Sequence, residues 1–480
     1  MSGIVAILGA GVIGAGWAAR FALMGWPVRV FDPAPAAAET LHAALDRARA
    51  SLPALYDGPL PAEGAVTLCE TLAEAVGGAD WIQESLPERL DLKHALYRDV
   101  QAVADPAAIL ASSTSGFTPS DLQTGALDPA QIIVAHPFNP VYLLPAVEIV
   151  GSDATAPDML ARAETILAEI GMAPTRVAGE IPAHVADRLL EAVWREALWL
   201  VKDEVATTGQ IDEIIRMGFG LRWAQMGLFE TYRIAGGPGG MAHFLGQFGP
   251  ALKWPWTKLM EVPDLDKALI SRIAEQSDAQ SGHRSIAELE AARDGNLVAL
   301  LRALKDRGEG AGAHLAAHGT RFALAAPSPD APAAPVTLDR QVPVSWVDYN
   351  GHMNEAHYLT AFSNACDQLL NWAGMDPESG LSIFTVETHI RHLDEVQIGE
   401  RIQVTTRVIE GGGKRLHIWQ ELFVDERLCA TGEQMLLHVD LTTRKTALPA
   451  PDVADWLARA QMAQAGGPLP EGLGATIGER

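Results

Sequence analysis

The chain has 480 residues, 36 of them lysine or arginine and 60 aspartate or glutamate, a formal net charge of -24 at neutral pH. That balance excludes a role resting on neutralised phosphates, because nucleic-acid binders need a cationic surface. At this length, with 48% hydrophobic residues, at least two domains are expected.

The N-terminal MSGIVAILGAG lacks the basic stretch and cleavage site of a signal peptide, and no run of about 18 uncharged apolar residues follows. Cys69, Cys366 and Cys429 stand far apart, outside any disulfide framework or zinc spacing, so a cytoplasmic protein with no membrane partner and no metal is expected. From Gly3 to about Gly179, short β-branched runs (IVAILG, VRVFD, VTLC, WIQES, AILASS, IIVAH, VEIVG) alternate with amphipathic stretches. This pattern predicts βαβ units around a parallel sheet. From Pro182 to about Phe322 the apolar residues take helical spacing, as with Val185, Leu189, Val193, Ala197 and Leu200. The segment AAPSPDAPAAP, with four prolines, reads as a semi-rigid spacer. Beyond it, one helical stretch followed by alternating strands predicts an α+β module. Glycine, proline and alanine in the last 25 or so residues suggest a poorly ordered tail.

Gly9-Ala10-Gly11-Val12-Ile13-Gly14 follows a strand and opens a helix, the context a dinucleotide fingerprint requires. Gly9 allows the tight turn, Gly11 a close approach to the pyrophosphate, and Gly14 close helix–sheet packing. Asp32 ends the second strand, where it accepts hydrogen bonds from a ribose and repels a 2′-phosphate, which favours NAD over NADP. FAD sites share the fingerprint, so the glycines alone leave that competitor open.

Through ILGAGVIGAGWA, ASSTSGF, AHPFNP, AVEIV and DRLL, residues 1 to about 322 resemble the 3-hydroxyacyl-CoA dehydrogenase family. The resemblance implies a Rossmann NAD-binding domain over residues 1–180 and an all-α substrate and dimerisation domain over 181–323. It makes His136 the general base, Glu148 the carboxylate that orients it, and Ser115 the partner of the substrate hydroxyl. Elementary chemistry agrees on His136, since oxidising a secondary alcohol needs a base that titrates near neutrality. One departure stands out: Asp187 replaces the family's usual asparagine, and its negative charge favours a cationic substrate.

The stretch GFGLRWAQMGLFETYRIAGGPGG is similar to the short-substrate branch of that family, which implies carnitine, a 3-hydroxy carboxylate bearing a trimethylammonium group. Such a cation is held against aromatic faces with an acid nearby. Phe219, Trp223, Phe229, Tyr232, Trp254 and Trp256 are the candidate rings, and Arg222 is the candidate carboxylate clamp. The alternative is an enzyme acting on 3-hydroxyacyl-CoA or another short 3-hydroxy acid, with a C-terminal domain that is a thioesterase or serves only to oligomerise.

The run VSWVDYNGHMNEAHY resembles hotdog thioesterases of the 4-hydroxybenzoyl-CoA type. That resemblance implies a hotdog domain over residues 337–455, behind a linker at 324–336 and ahead of a tail at 456–480. It makes Asp348 the catalytic carboxylate, an acyl-CoA, betainyl-CoA in particular, the substrate, and a homodimer or higher oligomer the assembly. His352 and Asn354 are as well explained by turn and cap roles as by catalysis.

Overall fold

The computed structural model describes residues 3–248, 257–258, 262–322 and 324–475. They form two compact units: Met1–Leu55 with Pro61–His318, and Tyr56–Leu60 with Gly319–Arg480.

The first unit is built on a sheet of β1 (Val5–Leu8), β2 (Val28–Phe31), β3 (Val66–Leu68), β4 (Trp81–Glu84), β5 (Ile109–Ser112), β6 (Ile132–Pro137), β7 (Ala146–Val150) and β8 (Ala173–Arg176). Its strand order is β3-β2-β1-β4-β5-β6-β7-β8. Chain order reverses between β1 and β4, and ligands bind beyond the strand ends at such a switch point. The helix Val12–Leu23 starts there, buried almost throughout. A Cβ on Gly14 would stand 1.9 Å from the Gly9 carbonyl oxygen, so only glycine allows this helix its approach to β1.

The sheet corrects the expectation of purely parallel strands. β7 runs antiparallel to β6, because the connection HPFNPVYLLP is too short for a crossover helix. β8, parallel to β7, was not among the expected strands; its APTR has too few apolar residues to mark it. Helices then run from Ala186–Lys202 to Gly310–Gly319.

The second unit is an antiparallel sheet of β9 (Val336–Gln341), β10 (Leu381–His392), β11 (Arg401–Glu410), β12 (Arg415–Val424) and β13 (Arg427–Asp440), in the order β10-β13-β12-β11-β9, with β14 (Lys445–Thr446) on β13. The helix Glu355–Trp372 lays Tyr358, Phe362 and Ala365 into the core against Ile402, Val404 and Leu422.

Two boundary expectations change. Residues 324–336 belong to the second unit: the Trp372 indole donates to the Leu324 carbonyl (3.2 Å) and Arg459 pairs with Asp330, so hydrogen bonds fix a segment that has little apolar surface to bury. The tail does not begin at residue 456, because the helix Pro451–Gln464 buries Val453, Leu457, Ala460 and Gln464 along one face. The Gln464 side chain also accepts from the Val408 backbone at 2.8 Å. Leu457 is fully buried in the cluster with Leu369, Val408 and Leu416. Leu457→Ala is therefore expected to destabilise the second unit by about 2–5 kcal/mol. Calorimetry should show a lowered melting transition, and an unshifted one would mean that this helix is not part of the core.

Candidate active site

His136 on β6 and Glu148 on β7 are direct cross-strand partners in the antiparallel register. Both are buried, and His136 Nδ1 lies 2.8 Å from Glu148 Oε2. An ionised carboxylate can only accept, so the proton of this bond sits on Nδ1 and Nε2 carries the free lone pair. Nε2 is 3.9 Å from Asp187 Oδ2, at the start of the helix Ala186–Lys202.

The other Glu148 oxygen accepts from the backbone N–H groups of Val185 and Ala186, both at 3.0 Å. These donors belong to the N-terminus of that helix, whose dipole favours negative charge. Burial pushes the Glu148 carboxyl up, but the hydrogen bonds from His136, Ala186 and Val185 outweigh it and hold the group below its ordinary range. The stability this gives is present above the ordinary carboxylate value and is lost as pH falls through the lowered one.

Ser115 is exposed on the loop beyond β5. Because Ser112 pairs with Val134, this loop leaves the sheet at the level of His136. Its brace was missed in the sequence. Glu88 accepts from the Thr114 hydroxyl and from the Gly116 N–H (2.9 Å), and Lys93 Nζ lies 3.4 Å from its other oxygen. Lys93 also pairs with the fully buried Glu84 at 2.8 Å. The carboxylate at position 84, which ends the fourth strand, and the carboxylate at 88 and lysine at 93 just beyond it were the available signal.

The cofactor end fits a dinucleotide. A Cβ on Gly11 would meet nothing within 4 Å, which leaves open space over the helix N-terminus for a pyrophosphate. Val12 at this end is exposed, and Ile13 is half-buried. Asp32 accepts from the N–H groups of Ala10 (2.6 Å) and Ala34 (2.7 Å), which fixes its carboxylate at the end of β2.

Next to Asp187, a cavity of about 560 Å³ opens among the helices of the first unit. Asp187, Glu191, Trp194, Asp212, Phe219 and Trp223 supply its charged and aromatic lining, and no lysine, arginine or histidine lines it among the described residues. The Phe219 and Trp223 rings lie 4.7 Å apart. Glu191 and Trp194 follow Asp187 at i+4 and i+7 on one helix face, a spacing that could have revealed them. Arg222, Phe229 and Tyr232 do not line this cavity. Phe229 is 75% exposed and Tyr232 stacks on Phe244, both beyond a kink at Gly227 (φ +72°) that breaks the helix Phe219–Ala235. Trp254 and Trp256 lie outside the described residues.

In the second unit, Asp348 sits in a tight turn. Its carboxylate accepts from the Asn350 N–H (2.8 Å), and its own N–H donates to the His352 carbonyl (2.9 Å). Gly351 takes the left-handed conformation (φ +82°). Asn354 caps the helix Glu355–Trp372 by accepting from the Ala356 N–H at 3.0 Å, as a cap role requires. His352 lies 3.4 Å from Glu395.

A dinucleotide cradle, a His–Glu pair at a strand end and an adjoining helical cavity define an NAD-dependent dehydrogenase of hydroxy compounds, with a second catalytic module behind it. Models of the 3-hydroxyacyl-CoA dehydrogenase NAD binding domain and C-terminal domain match residues 4–181 and 184–269, and a model of the thioesterase-like superfamily matches 342–457. The chain is 56% identical to the L-carnitine dehydrogenase/betainyl-CoA thioesterase of Ruegeria pomeroyi, covering 98% of each chain. It is 50% identical over 66% of its length to an L-carnitine dehydrogenase of a Pseudomonas species, covering 96% of that protein. Among solved structures, an NAD-dependent 5-formyl-3-hydroxy-2-methylpyridine 4-carboxylic acid 5-dehydrogenase matches at TM-score 0.53 and 28% identity, covering 64% of this chain and 99% of that one. The chain belongs to the 3-hydroxyacyl-CoA dehydrogenase family, in the form that carries a fused thioesterase-like domain, and its cofactor is NAD.

His136→Asn is expected to lower the rate of alcohol oxidation by about 100- to 10,000-fold with NAD affinity retained. Steady-state kinetics with calorimetric NAD titration check this, and a rate within about tenfold of wild type would remove His136 from the base role.

Proposed function

We propose that the first unit oxidises L-carnitine to 3-dehydrocarnitine with NAD, and that the second hydrolyses betainyl-CoA. The observation that carries this reading is the cavity beside His136. It offers three carboxylates, two indoles and a phenyl ring, with no cation among the described lining residues. That lining suits a quaternary ammonium group, which gains from aromatic faces and nearby negative charge and needs no hydrogen-bond partner.

In this reading the trimethylammonium end lies in the cavity near Asp187, and the carbinol stands between the Ser115 loop and His136. Ser115 holds the substrate hydroxyl, and His136 Nε2 takes its proton. Glu148 stabilises the imidazolium that forms and fixes its orientation. Bound NAD supplies the acceptor for the hydride, held by Gly9, Gly11, Gly14 and Asp32.

In the second unit, Asp348 attacks the thioester carbonyl, expelling the CoA thiol and leaving an anhydride that water opens, or activates a water that displaces the thiol directly. N–H groups at the start of the following helix would stabilise the oxyanion. The two reactions are neighbouring steps on trimethylammonium compounds. We further propose a cytoplasmic homodimer or higher oligomer. Among the described residues, no helix is long and apolar enough to cross a membrane. Leu189, Ile214, Met217 and Leu221 leave large apolar groups exposed on the first unit. On the second, the twelve-residue edge strand β10 exposes Phe384 and Val386. Both features suit a second copy of the chain.

L-carnitine with NAD is expected to yield NADH, and Asp187→Asn to raise the KM for L-carnitine by about tenfold, equivalent to about 1.4 kcal/mol. Asp348→Asn should abolish betainyl-CoA hydrolysis while NADH formation continues. Turnover of 3-hydroxybutyryl-CoA in preference to L-carnitine would overturn the substrate assignment.

A further inference from the structure

We propose that His184 is a positioning residue for the alcohol oxidation, locking the loop that carries Ser115 to the turn that holds Glu148. The inference rests on the reading of His136 and Glu148 as the proton-accepting pair.

His184 is fully buried, and its ring centroid lies 5.5 Å from that of His136. Its Nε2–H donates to the Thr114 carbonyl at 3.2 Å, and the Ala183 N–H beside it donates to the Gly116 carbonyl at 3.0 Å. These two bonds zip the turn to both sides of Ser115. Ala183 and His184 both take left-handed backbone angles (φ +64° and +47°), a conformation that side chains with a Cβ rarely adopt and that persists only where the surroundings enforce it. The chain leaves this turn with the next two N–H groups, of Val185 and Ala186, aimed at Glu148. A single strained turn thus sets the hydroxyl-binding loop on one side and the carboxylate behind the base on the other.

The ring also has to be neutral. With Nε2–H given to Thr114, a protonated ring would carry a second N–H on Nδ1, which is buried and has no partner among the described residues. Burial, and then the proximity of His136, lower its proton affinity, outweighing the opposite pull of the Thr114 carbonyl, Glu148 and Asp187. His184 therefore adds no repulsion when His136 takes the alcohol proton.

The test compares His184→Phe, which fills the space without a donor, with His184→Gln, which keeps one, in the full-length protein. The Phe variant is expected to lose about ten- to a hundredfold in kcat, because the base and the hydroxyl-binding loop shift relative to each other. KM values for NAD and the alcohol should stay within about twofold. The Gln variant should recover most of the loss. In the Glu148→Gln background, replacement of His184 by Phe should cost less, because the part of its effect that passes through that carboxylate is already lost. The proton resonance of His136 Nδ1–H, read by NMR without substrate, should move in the Phe variant and return in the Gln variant. A kcat loss of equal size in both backgrounds, an unchanged kcat in the Phe variant, or a Gln variant as impaired as the Phe variant would overturn the proposal. If the wild-type protein forms no NADH from any 3-hydroxy acid, the oxidation reading fails, and the NMR signature alone still decides whether His184 positions His136.

Discussion

The Glu148 carboxylate accepts hydrogen bonds from three places: the His136 imidazole on the neighbouring strand and the backbone N–H groups of Val185 and Ala186 at the start of a helix. A buried carboxylate is costly unless each lone pair facing the protein finds a donor. Here one donor comes from β6 and two from the start of the helix Ala186–Lys202, so stabilising the charge also fixes how these elements meet. The imidazole is thereby held in one tautomer, with Nε2 toward Asp187.

A second choice of charge acts on that nitrogen from the other side. Asp187 stands 3.9 Å from His136 Nε2, and Glu191 and Asp212 extend the negative lining into the cavity. For an anionic or neutral acyl chain these carboxylates would be an expense without return. For a trimethylammonium group they are the complement, and the rings of Trp194, Phe219 and Trp223 add polarisable faces. A trimethylammonium alcohol bound in this way would be presented to His136 by its far end, which would make part of the recognition energy available for orientation.

Much of this was legible in the sequence because the signals are local. The glycine turn, Asp32, the histidine before FNP and the glutamate twelve residues on each sit in a short motif, and the strands bring them together even though the β6–β7 pairing is antiparallel rather than parallel. What the short motifs do not carry depends on helix faces and on kinks. Glu191 and Trp194 share a face with Asp187, whereas Phe229 and Tyr232 lie beyond the break at Gly227 and face elsewhere. The helix Pro451–Gln464 was hidden by its alanines and is set by Val453, Leu457, Ala460 and Gln464 at helical spacing. His184 belongs to no motif, and only the left-handed turn shows its place.

The most direct test of the account is a comparison of kcat/KM for L-carnitine and for 3-hydroxy-5,5-dimethylhexanoate, its isostere with an uncharged carbon in place of the quaternary nitrogen. The two molecules share shape, hydroxyl and carboxylate, so the ratio isolates the positive charge. An acidic aromatic cavity predicts a preference for L-carnitine of at least about a hundredfold, equivalent to about 2.8 kcal/mol. Equal efficiency on the two would contradict it, because the carboxylates around the cavity would then contribute nothing to recognition.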